Sequence, residues 1–556
     1  MRNEFEMSLQ LLHKSWFWLF LIVLLAAVLR FYQLGINPPS LTWDEVAWGY
    51  NAYAVGIDGR DEFGHFLPYT SFVSFGDYKP PVYAYLTVIP VWIFGLDAFA
   101  VRFPSALFGV LTVLVTYFLV KELFAYYDSK ESPHKSKVQK IALASALIMA
   151  VSPWNIMLSR AAFEANVASF FIVFGVWSFL YAMRKKSWVL IVSVISFVLC
   201  MYTFNSVRVV APLLFLILAG GHMKELWHNK KATITAFLIG LLLLAPVVPF
   251  LLSPHARLRY QEVNIFSNIN IIKVANQEIA NNHNAWWSKI IDNRRVAYSA
   301  DFLRHYFDNL NPGFLFIHGD YNPKFSTQDV GQMYLWDLPF FVLGVLFLFR
   351  QRLGKWWLIP LWLAIGIIPS AVSLPTPHAL RTEATLPTWQ MLTAYGFVTF
   401  ILLLKRYQKV ITAGLIFLLF LFVGYYLHGY YTYYPQEFAA EWQYGYKQAI
   451  LYVKAHQQNY TTVYISGVER PYIYTLFYLK YPPQKFRQTA KVTTDVFGFV
   501  HVASFGKYRF ISSPQKVSST AKSLFIADVK QVPAKSHVLK TFYLLDGEPE
   551  LVAFTR

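Results

Sequence analysis

Long apolar runs recur along most of this chain. The first extends from Trp16 to about Leu34. Others follow at roughly 102–120, 140–157, 164–183, 187–204, 207–221, 232–252, 334–350, 356–373, 386–404 and 410–430. Each approaches the ~20 residues that cross a bilayer as a helix. The runs do not alternate with a period of two, which argues against a barrel and for helices that satisfy their own backbone hydrogen bonds. The short connections sort by charge. Lys121, Lys130, Lys135 and Lys137 fall in one, Arg184, Lys185 and Lys186 in the next alternate one, then Lys224, Lys230 and Lys231. Arg350, Arg352 and Lys355 follow, and finally Lys405, Arg406 and Lys409. A basic cluster in every second connection is the positive-inside pattern. It predicts about eleven spans, with the N-terminus inside and the C-terminus outside. Counting Val82–Leu96 as a span would put the later basic loops outside, so this segment is expected to be an amphipathic helix in the interface.

Two further stretches are long, polar and expected outside. Residues 253–333 carry Trp286, Trp287, Arg294 and Arg295 on one expected helix. Residues 431–556 mix strand and helix signals: Thr461–Ile465 and Ser523–Ile526 read as buried strands and 436–456 as a helix. The expected organisation is therefore a transmembrane module, 1–430, including outer loops 35–101 and 253–333, and a small extracytoplasmic α/β domain, 431–556.

Composition agrees. Hydrophobic residues are 56% of the 556 and charged ones 14%, against roughly a quarter in soluble domains. The net charge of +18 is absorbed by loops that meet anionic headgroups, and no basic stripe in a soluble context points to nucleic acid. The single cysteine, Cys200, lies inside an apolar run; it allows no intrachain disulfide and no cysteine cluster for a metal.

Chemistry concentrates in the first outer loop. Asp44-Glu45 lies about ten residues beyond the first apolar run, and Gly76-Asp77-Tyr78-Lys79-Pro80-Pro81 follows. Carboxylates near a membrane are costly unless used or paired. Residue by residue, the pair also suits a helix start, with Thr42 or Asp44 as cap and Glu45 on the helix dipole. Lys79 is either an interfacial lysine or a phosphate-binding cation, held extended by the prolines after it; Asp77 orients it or serves as a second acid. Ser159-Arg160…Glu164 reads as a surface ion pair four residues apart or as a second functional cluster. In Pro377-His378-Ala379-Leu380-Arg381, the arginine fork suits a phosphate. His318-Gly319-Asp320 is a weak signal. Metalloprotease, nucleotide and dinucleotide motifs are missing from the sequence.

With Asp44-Glu45, Asp77–Pro81, Val101-Arg102-Phe103-Pro104-Ser105 and Ser159-Arg160…Glu164 in this order, the chain resembles the polytopic lipid-phosphate-sugar glycosyltransferases of type C. The nearest branch is family 39, the protein O-mannosyltransferase and lipid A aminoarabinose transferase group. The resemblance covers most of residues 16–430; the tail is similar only in position to the outer domains of such enzymes. Two departures stand out: residues 46–50 lack the basic residue that some members carry, and Glu164 stands where members often have Asp.

The resemblance implies a polyprenyl-phosphate-linked sugar as donor and a glycan, lipid or protein acceptor outside the cell membrane. It implies Asp44, with Glu45, as catalytic residues, and Lys79, Arg160 and Arg381 on the donor phosphate. Asp77, Tyr78, Glu164 and His378 are the expected substrate contacts. Transfer by one displacement would invert the anomeric centre, as in inverting glycosidases. No cofactor and no metal ligands are expected, because the protein's own cations suffice for a phosphate leaving group; a divalent ion is left open. The alternative from another class is a transporter or flippase of a lipid-linked molecule. That function would place ionisable groups near the midplane, whereas here they collect in outer loops.

Overall fold

A computed structural model describes residues 2–75, 77–125, 132–253, 256, 264–467, 470–494, 500–517 and 522–556; the side chains of residues 1–14, of Asp77 and of 132–134 are outside the description. Gly76 and Lys130, singled out above, lie outside the described residues. The chain divides into two compact units. One comprises Met1–Arg30, Leu107–Ser159 and Glu164–Tyr426; the other comprises Phe31–Ala106, Arg160–Phe163 and Leu427–Arg556. The first outer loop thus shares a unit with the tail.

The first unit is helical. Every predicted apolar run forms a helix or a pair of helices. Ala98–Leu123, Glu164–Arg184 and Lys405–Thr432 are long and apolar enough to cross a membrane. Two bent pairs, Lys135–Val151 with Pro153–Ser159 and Ala379–Thr385 with Thr388–Leu403, make five if each is one span. The second bend, 58°, falls at Leu386-Pro387, where proline drives the preceding residue into extended backbone. Asp337–Gln351 and Thr388–Leu403 touch through glycines: a Cβ on Gly344 would strike the Leu392 carbonyl oxygen, and one on Gly396 that of Phe340. Small residues permit this approach of two backbones. Arg184 and Lys185 pair with Glu122 at 2.6 and 3.3 Å. The first helix is not free of charge. Arg30 is fully buried, and its guanidinium donates to the Ala26, Ala150 and Met149 carbonyls and to Asn155.

Trp286 and Trp287 do not share a helix with Arg294 and Arg295. They precede a one-turn helix, Ser288–Ile291, and Asn293 caps a separate helix, Arg294–Asp308, by accepting from the Arg295 and Val296 amides. Cys200 is fully buried, as a core residue would be.

The second unit holds a seven-stranded mixed sheet. A small hairpin in the first loop, β1 (Phe72–Ser74) and β2 (Asp77–Lys79), is separate from it. The tail contributes β3 (Thr462–Ser466), β4 (Lys491–Thr494), β5 (Val500–Phe505), β6 (Tyr508–Ile511), β7 (Ser523–Asp528), β8 (His537–Tyr543) and β9 (Pro549–Thr555), in the order β4-β5-β6-β3-β7-β9-β8. The two strands predicted as buried, β3 and β7, are central and parallel. The expected 436–456 helix is broken: Gln443, in left-handed backbone, starts Tyr444–His456 after two shorter turns. Val82–Phe94 is a helix of 13 residues, well under the ~20 of a span.

Candidate active site

The first loop carries a helix, Trp43–Asp58, whose start is written locally. The Glu45 amide donates to the Thr42 hydroxyl and the Thr42 amide to Glu45 Oε2, which makes a capping box. Gly59, at φ 71°, closes the other end. Glu45 then turns inward. Its Oε1 accepts from Arg102 Nε at 2.8 Å and from the Ala162 amide at 3.0 Å. Its Oε2 accepts from Thr42 N at 3.0 Å and Arg102 Nη2 at 3.2 Å. These bonds occupy the four acceptor positions of a carboxylate. Arg102 completes its own fork on the Leu34, Pro38 and Ser40 carbonyls. Glu45 and Arg102 are both buried. Glu45, expected from the resemblance to act with Asp44, is placed by these four bonds in the frame that shapes the loop.

Asp44, one residue earlier, points elsewhere, because neighbours on a helix lie about 100° apart. Its side chain is 50% exposed and forms an ion pair with Lys79, whose side chain is only 9% exposed. Lys79 is the last residue of β2, in register with Phe72. Its ammonium also lies 5.1 Å from the Trp48 ring and 5.6 Å from that of Phe75, positions in which an aromatic face attracts a cation. The segment 46–50 is thereby explained. Val46, Ala47, Trp48 and Tyr50 are buried, and a Cβ on Gly49 would meet Phe477 and Val101 at 2.5 Å. A basic residue there would be enclosed, and the aromatic Trp48 backs Lys79 instead.

A neighbouring carboxyl had no signal in the sequence. Glu62 is fully buried. Its amide donates to Asn51 Oδ1 at 3.0 Å, and Asn51 Nδ2 reaches Glu62 Oε1 at 3.4 Å. Burial, aided by the charge of Asp61, pushes its carboxyl up to about 8; the Asn51 hydrogen bond and Lys79 pull the other way. The turn that sets Glu62 is fastened from the tail: Arg487 bonds the Asp61 carbonyl at 3.0 Å and pairs with Asp58.

The other expected residues fall differently. Tyr78 sits in β2 opposite Val73, and partial burial raises its hydroxyl's pKa. The side chain of Asp77 lies outside the described residues. Arg160 is fully buried. It donates to the Tyr32 and Asn37 carbonyls at 2.8 and 2.9 Å and to the Tyr430 hydroxyl at 3.1 Å, with the Tyr430 and Tyr431 rings each 5.3 Å away. Expected as a phosphate cation, the guanidinium here ties the segments around Tyr32, Asn37 and Tyr430 together.

Glu164, His378 and Arg381 belong to the first unit. Glu164 opens the Glu164–Arg184 helix. The His378 amide donates to Asn309 Oδ1 at 3.0 Å and its ring lies 5.0 Å from Phe325. Arg381 donates to the Leu374 carbonyl at 2.8 Å. Asp320 joins them by accepting from the Ala379 amide; burial pushes its carboxyl up to about 6, against the pull of its backbone hydrogen bonds and Arg381. Among the described residues, no group of three or more His, Cys, Asp or Glu side chains is arranged to hold a metal ion.

Comparison with known proteins adds to this geometry. Residues 78–250 match the family model of dolichyl-phosphate-mannose-protein mannosyltransferases. Lys79, Arg102, Arg160 and Glu164 fall inside that match, and Asp44 and Glu45 before it. A stretch of 171 residues is 28% identical to YkcB of Bacillus subtilis, a protein assigned as a mannosyltransferase; it spans 30% of this chain and only 21% of that one. Two crystal structures of ArnT from Cupriavidus metallidurans share the fold. The apo form gives a TM-score of 0.53 and the form bound to undecaprenyl phosphate 0.55, each at 11% identity over 96% of this chain and 97% and 98% of theirs.

Proposed function

We propose, from the resemblance of this chain to the type C glycosyltransferases of family 39, that it moves a sugar from a polyprenyl-phosphate donor to a hydroxyl outside the cell membrane. The observation that carries this reading is the contact between half-exposed Asp44 and buried Lys79 in one unit. In this mechanism the acceptor hydroxyl attacks the anomeric carbon while Asp44 takes its proton. The bond to the phosphate breaks on the opposite face, and the configuration inverts. The phosphate is a weak base, so it needs its charge held more than it needs a proton. An ammonium has three N–H donors; the bond to Asp44 uses one, which leaves Lys79 able to hold a phosphate while still orienting the base. Glu45, through Arg102, fixes the helix that carries Asp44. The chain's own cations supply the charge stabilisation. The proposal rests on Asp44 and Lys79, with Tyr78 as a substrate contact.

The test is sugar transfer by the purified protein in detergent, from polyprenyl-phosphate sugars to hydroxyl acceptors, with the product's anomeric configuration read by NMR. Retention of configuration would exclude the single displacement. Movement of the intact lipid-linked molecule across proteoliposomes without transfer would favour the transporter.

A further inference from the structure

Around Lys79, in the same unit, four buried polar groups have no hydrogen-bond partner among the described residues: Trp48 Nε1, Glu62 Oε2, Ser74 Oγ and the Tyr472 hydroxyl. Their residues are at most 4% exposed. Folded proteins pair nearly all such groups, so an unpaired set asks for an explanation.

The four belong to residues grouped around Lys79 and Phe75. The Trp48 ring lies 5.1 Å from the Lys79 ammonium. In the hairpin register Ser74 stands opposite Asp77, two residues before Lys79 and so on the same face of the strand; the Phe75 ring lies 5.6 Å from that ammonium and 5.9 Å, edge-on, from the Tyr472 ring. Glu62 is within electrostatic reach of both Lys79 and Tyr472. Arg470 covers Phe75 at 4.2 Å.

The chemistry of the set is selective. An indole N–H only donates, two hydroxyls donate and accept, and the carboxyl oxygen accepts when ionised and also donates when protonated. Aromatic walls accompany them. A compact ring bearing several hydroxyls meets each of these demands; a hydrocarbon chain meets none. Such a ring lies one bond from the phosphate in the donor assigned to this site.

We propose that Trp48, Glu62, Ser74 and Tyr472 form the subsite that binds the hydroxyls of the donor's sugar, beside the phosphate held by Lys79. This rests on the lipid-phosphate donor proposed above. Burial keeps Glu62 largely protonated at neutral pH, so it can both donate and accept toward neighbouring hydroxyls. Tyr472 comes from the tail, which makes the tail part of sugar selection.

The experiment measures, on the full-length protein, affinity for undecaprenyl phosphate and for undecaprenyl-phosphate mannose, glucose and galactose. The readout is the ratio between the tightest sugar-bearing ligand and the bare lipid phosphate. Glu62→Leu, Ser74→Ala and Tyr472→Phe should each lower that ratio, by about tenfold for one lost hydrogen bond. Affinity for the bare lipid phosphate should hold within twofold, which also reports that the variants fold. An unchanged ratio in all three, or a wild-type ratio of one, overturns the subsite while leaving the donor reading intact. An unchanged ratio with a raised KM for the acceptor assigns these residues to the acceptor instead, and also overturns it. Wild-type protein that binds neither form overturns the lipid-donor reading, and the subsite with it.

Discussion

Two acid–base pairs begin one residue apart on the same helix and differ in almost every physical respect. Glu45 and Arg102 are sealed, and four hydrogen bonds saturate the Glu45 carboxylate. Asp44 and Lys79 form an ion pair, with the acid half in solvent and the cation against two aromatic faces. A buried carboxylate with its lone pairs filled is a fastener. A half-exposed one beside a cation can take up a proton. Residue type alone therefore does not assign chemistry; burial and access to solvent separate two adjacent carboxylates.

The comparison breaks most sharply at Asp44. Asp44→Asn keeps the shape and removes the base, so transfer should fall by about 10²–10⁴-fold, with the thermal midpoint and donor binding nearly unchanged. Near-normal turnover in that variant would end the base assignment. The sealed pair should respond in the opposite sense. Arg102→Ala leaves Glu45 buried and unpaired and should cost about 3–5 kcal/mol of stability, read as a large drop in thermal midpoint and in yield of folded protein. If Arg102→Ala were as stable as wild type but inactive, the two pairs would have to exchange roles.

A smaller effect is expected at Lys79. Lys79→Ala should weaken binding of a lipid phosphate by roughly 10–100-fold, the loss of a charge-assisted hydrogen bond of about 1.5–3 kcal/mol. Unchanged affinity, measured by titration, would remove the phosphate contact. The smallest concerns the fastening of the loop from the tail. Arg487→Ala breaks a partly exposed pair with Asp58 and should cost about 1 kcal/mol or less. Hydrogen exchange should rise over residues 58–66 while that of the Trp43–Ala54 backbone stays put; protection unchanged in 58–66 would show the fastener to be idle.

The two residues of the candidate site that pair in the structure were legible in the sequence. Asp44 and Lys79 stood out because acids and cations are scarce in an apolar chain, and Pro80 announces an extended residue before it. Which of two adjacent carboxylates faces inward was not legible. The capping motif hints at Glu45, but its sealing depends on Arg102, 57 residues away, and on the Ala162 amide. Arg160 read as an exposed cation because nothing nearby in sequence shows that the Tyr32 and Asn37 carbonyls will enclose it. Glu62, Trp48 and Tyr472 carried no signal, since an isolated acid or aromatic residue is unremarkable until distant segments meet.

The pattern of apolar runs by itself determined the helices, because each must satisfy its backbone within some twenty residues, a local requirement. Short runs rich in apolar, aromatic and β-branched residues likewise marked β3 and β7 as buried strands. Only the tertiary structure decided the strand order, the grouping of the first loop with the tail, and which charged groups are closed or open. Those depend on contacts between residues far apart in the chain, and burial, which sets the behaviour of every charge here, is a property of the packed molecule.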